Sequence, residues 1–381
     1  MKGFVRELPQ YSRPQSEAVE WLVDAHARAA ATAARDEGSL AKWRDRMNRL
    51  VGRYCATGSI GRRYSELCDY IHTDWPRMLI FNLDQSPGGR GIEVRNRFYA
   101  DTAMRVVESL FKDDTEPPTD LLHVSCTGYA SPSAIQRLIQ KKGWHSSTRP
   151  TQVYHMGCYA ALPALRIATG LLCCNDGSLS RRAEIVHTEL CTLHFNPGDH
   201  SPEQLVIQSL FADGHIRYAL LPEGVATIRT GENAFEVLAM REEIVPDSLE
   251  DMTWVLSEQG FQMTLSRDVP GKVAACLPRF LAGLFADAGL NYENEAGGAV
   301  FAVHPGGPRI LDSVKELLGL EDWQLRLSRA VLFERGNMSS ATLPHIWMAA
   351  ACDAGVEAGR LVASMAFGPG LTIAGAIFRK C

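Results

Sequence analysis

Tyr154-His155-Met156-Gly157-Cys158-Tyr159-Ala160-Ala161-Leu162-Pro163-Ala164-Leu165-Arg166 decides how this chain is read, because it sets a cysteine on a turn between a β-type run and a helix. Unpaired backbone N–H groups at a helix start carry partial positive charge, which lowers a thiol's pKa and raises its thiolate fraction. Cys158 is therefore a candidate nucleophile; the alternative is a packing residue, since free cysteines are among the most buried residue types. Working outward, Leu121-Leu122-His123-Val124-Ser125-Cys126, closed by Thr127-Gly128, predicts a buried strand. Ser131 and Ser133 can cap a helix that runs to about Lys142. Ala183-Glu184-Ile185-Val186 predicts the next strand, followed by a helix near 202–211 and strands near 216–222 and 235–244. This alternation indicates an α/β sheet layered with helices.

Upstream, Ala18, Trp21, Leu22, Ala25 and Ala29 fall at helical spacing within 14–36. Helices are also expected at 40–53, rich in Arg and Lys and so a solvated face, and at 95–113. Downstream the pattern predicts a helix at 272–287, a strand at 299–303, a helix at 309–318, a strand at Val331-Leu332-Phe333, a helix at 339–358 and a last strand at 371–378. The second half resembles the first in element order. That places a join near Gly231-Glu232-Asn233 and divides the chain into 1–232 and 233–381.

With 381 residues, 46% of them hydrophobic, the chain can fill the core of one large domain or two fused ones. Its 39 basic and 44 acidic residues give a net charge of −5, which argues against nucleic acid or an anionic membrane surface as the main partner. The ten cysteines show no paired C-x-x-C framework and read as reduced thiols, with no metal expected. Residues 1–15 lack the apolar core of a secretory signal, and the most apolar stretch, Cys158 to Cys174, is short for a membrane span and carries Arg166. A soluble cytoplasmic protein is the expectation.

Two further turns carry chemistry. His304 ends an apolar strand and precedes Pro305-Gly306-Gly307-Pro308, a tight turn that lets a ligand approach the backbone. A histidine there can serve as a base or hydrogen-bond donor, or be a core histidine with both nitrogens satisfied. Asn337, in Gly336-Asn337-Met338-Ser339-Ser340-Ala341, precedes a helix start; its amide can help hold an oxyanion, or the residue is an ordinary cap. Together the three turns suit thioester chemistry, with Cys158 attacking and His304 and Asn337 stabilising an enolate or oxyanion. No metal or redox cofactor is required for that.

At these residues the sequence resembles the type III polyketide synthases, the chalcone-synthase-like family. The resemblance is carried by Met156-Gly157-Cys158-Tyr159-Ala160, Ala302-Val303-His304-Pro305-Gly306-Gly307-Pro308, Gly336-Asn337-Met338-Ser339-Ser340-Ala341 and Phe367-Gly368-Pro369-Gly370-Leu371-Thr372. Phe211-Ala212-Asp213-Gly214 and Asp268-Val269-Pro270-Gly271 add to it, and it runs from about Arg53 to the carboxyl terminus. It implies a homodimer of thiolase-fold subunits, each with two related halves in an α-β-α-β-α arrangement, and a Cys158, His304, Asn337 triad. Such enzymes load an acyl starter, decarboxylate malonyl-CoA, extend repeatedly and cyclise the chain.

The same resemblance assigns cavity positions. Phe211 matches a gatekeeper aromatic, and Met263 stands where plant enzymes carry a second phenylalanine. Cys126, Cys191 and His194 replace threonines of chalcone synthases, and Ser339 matches a serine of the cavity wall. These departures look like those of bacterial alkylresorcinol and alkylpyrone synthases, which accept long fatty acyl starters; for Cys126 and Cys191 the alternative is sheet packing. Arg53 matches one CoA-phosphate residue, whereas Gly58 stands where a lysine is expected; Arg62, Arg63 or Arg309 can compensate, with Gly307 giving backbone access. The starter can equally arrive on an acyl carrier protein. Residues 1–52 show no strand of the kind that opens the family's fold. The runner-up activity is a single-condensation ketosynthase of the fatty-acid-initiating type, which uses the same three residue types.

Overall fold

The computed structural model describes residues 1–35, 39–55, 58–173, 181–222 and 233–381; Cys174 and the expected join at Gly231-Glu232 lie outside them. The first part of the chain forms β1 (Lys2–Glu7), β2 (Tyr11–Pro14), α1 (Gln15–Ala34), α2 (Leu40–Tyr54), β3 (Arg62–Ser65), α3 (Ile92–Leu110), β4 (Asp120–Ser125), α4 (Ala134–Lys142), β5 (Arg149–Tyr154), α5 (Ala161–Cys173), β6 (Ala183–Glu189), α6 (Pro202–Leu210) and β7 (Gly214–Leu220). The second forms β8 (Phe235–Ile244), β9 (Met252–Leu256), β10 (Phe261–Leu265), α7 (Val269–Asp287), α8 (Tyr292–Glu295), β11 (Val300–Val303), α9 (Pro308–Leu318), α10 (Asp322–Arg335), α11 (Thr342–Cys352), β12 (Leu361–Gly368) and β13 (Thr372–Lys380).

Two sheets organise the core. The first has the order β1-β7-β6-β4-β5, with β4 parallel to both neighbours and β7 antiparallel to β6 and β1. The second has the order β11-β12-β13-β8, with one parallel pair, β11 with β12, and two antiparallel ones. Every residue of β4 and of β6 is buried, as a strand covered on both faces requires. Between the sheets run α5 and α11: Ala161, Leu165, Leu343, Trp347 and Ala351 share one apolar cluster with Val124, Ile185, Val362 and Phe378. The outer face of the first sheet packs on α1, α3 and α4, and that of the second on α7, α9 and part of α10. The expected helix-sheet-helix-sheet-helix layering of a thiolase-like fold is thus present.

Several expectations are corrected. An opening strand exists: β1 pairs antiparallel with β7, Val5 opposite Arg217 and Glu7 opposite His215, so its order comes from edge pairing and not from the apolar alternation its charged residues hide. Val331-Leu332-Phe333 lies in the last turns of helix α10, where Leu325, Leu332 and Val331 are buried at helical spacing behind a Glu321–Gln324 capping box. The helix expected at 339–358 ends at Cys352. Ser133 alone caps α4, in a capping box with Gln136. Among the described residues one helix, α7, is long and apolar enough to cross a membrane, but it packs Leu277, Phe280, Leu281 and Leu284 into the second core.

Candidate active site

The nucleophile turn follows β5 and stands against the first turn of α5. His155 and Gly157 take left-handed backbone, with φ of 62° and 81°. A Cβ on Gly157 would overlap the Pro369 ring, and one on Gly368 would overlap Tyr159, so the Phe367-Gly368-Pro369-Gly370 stretch is moulded around this turn. Cys126 sits behind it: its sulfur accepts the Gly157 N–H at 2.9 Å. Cys126 therefore braces the turn from behind, the packing role that stands as the alternative to its expected place in the cavity wall.

Cys158 is buried, and its thiol donates to the Ser339 hydroxyl at 3.8 Å. Ser339 itself has φ 49°, a strained conformation of the kind held at functional sites. Its backbone N–H donates to Asn337 Oδ1 at 2.9 Å. That bond fixes the amide so that Nδ2 points away as a donor; it makes only a long 3.4 Å contact, to the Gly306 carbonyl. The Gly306 N–H in turn donates to the His304 carbonyl at 3.0 Å. A continuous chain of contacts thus joins all three expected catalytic residues. Asn337 lies between α10 and a 3-10 turn, not after a strand, and is held by a short parallel bridge to Phe211.

Burial dominates the electrostatics. It pushes the Cys158 thiol up to about 12; the Ser339 contact works against this and the Glu189 charge adds to it. The expected lowering by a helix start does not prevail, because the turn is desolvated and α5 begins three residues later. Burial also pulls His304 down to about 3. Both His304 ring nitrogens are buried with no hydrogen-bond partner among the described residues. Leaving such groups unpaired costs about 1–3 kcal/mol each, so the site is built to receive polar atoms from elsewhere.

Beside this centre lies a pocket lined by Cys191, His194, Phe195, Ile207, Phe211, Trp254, Phe261 and Met263, with Gln204 and Gln208 on the α6 side. Four expected substrate residues, Phe211, Met263, Cys191 and His194, therefore share one wall. His194 spends both nitrogens on the protein: Nε2 donates to the Thr127 carbonyl at 2.7 Å and Nδ1 accepts the Phe261 N–H at 3.2 Å. It shapes the wall and offers no polar atom to a ligand.

Glu189, Trp254 and Phe261 had not been singled out. Glu189 ends β6 fully buried, accepts from the Cys126 N–H and the Thr127 and Ser340 hydroxyls, and is raised by burial to about 7. β6 also carries Glu184, His187 and Thr188, so its sequence holds no signal particular to Glu189; only the burial of the whole strand sets it apart. Trp254 and Phe261 belong to the β9–β10 hairpin, whose period-two pattern is short and partly exposed.

Arg53, Arg62 and Arg309 are exposed on α2, β3 and α9, and Gly307 precedes α9 in extended backbone. Arg62 donates to Ser12 Oγ at 2.8 Å. Arg63 is not available to a phosphate: it is buried and donates to Gln15 and to the Gln208 and Phe211 carbonyls. Cys68, Asp69 and His72 bring three potential metal ligands within 4.8 Å of one another. The Asp69 carboxylate, however, is already bonded by the N–H groups of Leu79, Ile80 and Phe81.

Comparison with known proteins gives the same grouping. The model for "chalcone and stilbene synthases, N-terminal domain" matches residues 32–219, and that for the C-terminal domain matches 236–381. The match begins upstream of Arg53. Among solved structures, PKS-I from the brown alga Ectocarpus siliculosus superposes with a TM-score of 0.81 at 22% identity, covering 100% of this chain and 97% of that one. The C-terminal type III polyketide synthase domain of Steely1, a type I/III hybrid from Dictyostelium, gives 0.79 at 23% identity, over 99% and 98%. The 1,3,6,8-tetrahydroxynaphthalene synthase of Streptomyces coelicolor A3(2) gives 0.76 at 23% identity, over 100% and 98%. At these identities the likeness is one of fold.

Proposed function

The chain belongs to the chalcone and stilbene synthase family, the type III polyketide synthases, and from that premise we propose that it condenses malonyl-CoA repeatedly onto a long-chain fatty acyl thioester and cyclises the product to an alkylresorcinol or alkylpyrone. The observation that carries the catalytic part is the buried His304 ring with two unpartnered nitrogens, joined by contacts to Cys158 and to an Asn337 amide held as a donor.

In this reading His304 takes the Cys158 proton as sulfur attacks the starter carbonyl. Neither charge is favourable alone in a dry site; formed together, thiolate and imidazolium compensate one another. The carbon–sulfur bond to Cys158 forms, the bond to the carrier thiol breaks, and the proton leaves on that thiol. Malonyl-CoA then places its thioester oxygen against His304 and Asn337 Nδ2, and carbon dioxide departs. The enolate carbon bonds to the acyl carbonyl carbon, the acyl–sulfur bond to Cys158 breaks, and its thiolate is released for the next round. The pocket bounded by Phe211 and Met263 receives the growing chain. The flexible Met263 thioether adapts its mouth to long starters. The protein acts as a cytoplasmic homodimer on CoA thioesters without a further cofactor, Arg53, Arg62 and Arg309 meeting the CoA phosphates.

Intact-mass measurement after incubation with a long acyl-CoA tests the assignment. Wild-type protein gains one acyl group and Cys158→Ala gains none; Asn337→Ala still loads but decarboxylates malonyl-CoA poorly. A normal acyl adduct on Cys158→Ala ends the assignment.

A further inference from the structure

Helix α2 carries a row of cations of which the proposed CoA binding uses only the last, Arg53. Lys42, Arg46, Arg49 and Arg53 recur at i, i+4, i+7 and i+11, which puts them on one stripe roughly 16 Å long. All four are exposed, and none makes an ion pair among the described residues. The fifth cation, Arg44, lies off the stripe and is neutralised by Asp24 at 2.5 Å. Arg46 and Arg53 lie over the rings of Trp43 and Tyr54 at 5.2 and 5.4 Å, which holds them in place. In a chain of net charge −5, this is a local field of the opposite sign.

The position of α2 connects that field to the site. Its apolar residues Met47 and Val51, with Leu40, Trp43 and Leu50 beside them, pack with Val23 of α1 and Leu205 of α6. Cys55, just past α2, donates its thiol to the Leu205 carbonyl at 3.4 Å. The other side of α6 gives Gln204, Ile207 and Gln208 to the pocket. The stripe therefore stands one helix away from the place where the acyl chain is received.

We propose that this stripe docks an acidic carrier protein that delivers the starter as a thioester on its phosphopantetheine arm. The inference rests on the thioester reading of Cys158 and names the donor for that step. Transfer moves the acyl group from the arm's sulfur to Cys158 Sγ, and the Cys158 proton goes to the released arm thiol. Charge complementarity with an acidic helix accounts for four cations in line, more than one CoA molecule's phosphates at Arg53 call for. A lipid surface is disfavoured by the same geometry: a membrane-surface helix turns its apolar face to lipid, and here that face is committed to α1 and α6.

The test compares two donors of the same acyl group, hexadecanoyl carrier protein and hexadecanoyl-CoA, by the rate of acyl adduct formation on the wild type and on a Lys42→Glu, Arg46→Glu, Arg49→Glu variant. Wild-type loading from the carrier protein is expected to slow with added salt. In the variant it is expected to fall about tenfold or more at low ionic strength and lose its salt dependence, while loading from CoA stays within about twofold of wild type. Unchanged carrier loading in the variant, equal loss from both donors, or wild-type loading from CoA alone each overturns the proposal. Binding of anionic phosphatidylserine vesicles that the variant abolishes, with carrier loading intact, also overturns it in favour of a membrane. If the triple variant melts early, the Lys42→Gln, Arg46→Gln, Arg49→Gln protein decides the same comparison. Failure of the wild type to load from either donor would strike the thioester reading itself.

Discussion

At the scale of single residues, the site depends on backbone conformations that few side chains tolerate. Gly157 has φ 81° and no room for a Cβ beside Pro369. Gly157→Ala is expected to cost at least about 1–2 kcal/mol and, because it displaces the Cys158 turn, to slow acyl loading as well; thermal melts and adduct formation check both. Glu189 makes a second prediction. Its pKa is about 7 in the folded protein against an ordinary value of 4.5, so the native state holds a proton that the unfolded chain releases. The stability this contributes is full below about pH 4.5 and is lost as pH rises through 7. Glu189→Gln mimics the protonated form, and its stability should decline less between pH 5 and 8 than that of the wild type. An identical decline in denaturant melts would refute the assignment.

At the scale of elements, the β9–β10 hairpin forms one side of the pocket. Gln204 of α6 donates to the Met263 carbonyl at 2.7 Å, Glu203 accepts the Leu265 N–H, and Trp254 Nε1 donates to the Cys126 carbonyl at 2.7 Å. The hairpin is thus strapped to α6 and to the strand end beneath Cys158. Met263→Phe should narrow the accepted starter length without unfolding the protein, read as the product profile across a starter series; an unchanged profile would count against the pocket as the acyl site.

What was legible from sequence follows the strength of local signals. Buried strands such as β4 and amphipathic helices such as α1 announce themselves by periodicity, and the turns of Cys158, His304 and Asn337 by their glycines and flanking runs. Elements whose order comes from distant partners were not legible. β1 needs β7, and the hairpin needs α6. The role of Cys126 was likewise hidden, because a sulfur that braces a turn 31 residues later in the chain has no local signature. The cation stripe of α2 was visible as composition, and only the packing of its apolar face on α1 and α6 shows which side is left to a partner.

At the scale of the whole molecule, buried histidines set the response to acid. His26, His123, His194 and His345 are each lowered by burial to about 3, and burial likewise holds His187 well below its ordinary value. The unfolded chain binds protons at these positions from about pH 6.5 downward, whereas the native state does not. Their contribution is therefore full above pH 6.5 and is lost as pH falls toward their folded values, at about 1.4 kcal/mol per group per unit. Glu189 and Asp213, raised to about 7 and 6, work in the opposite sense but are fewer. The melting temperature should fall steeply between pH 6.5 and 5, and a flat profile over that range would contradict the burial described. The central claim, iterative extension of a long acyl starter, is tested most directly by mass spectrometry of the products formed from malonyl-CoA and a series of acyl-CoA starters. The account predicts cyclised products with two or three extensions on long starters, whereas uncyclised products of a single extension would contradict it.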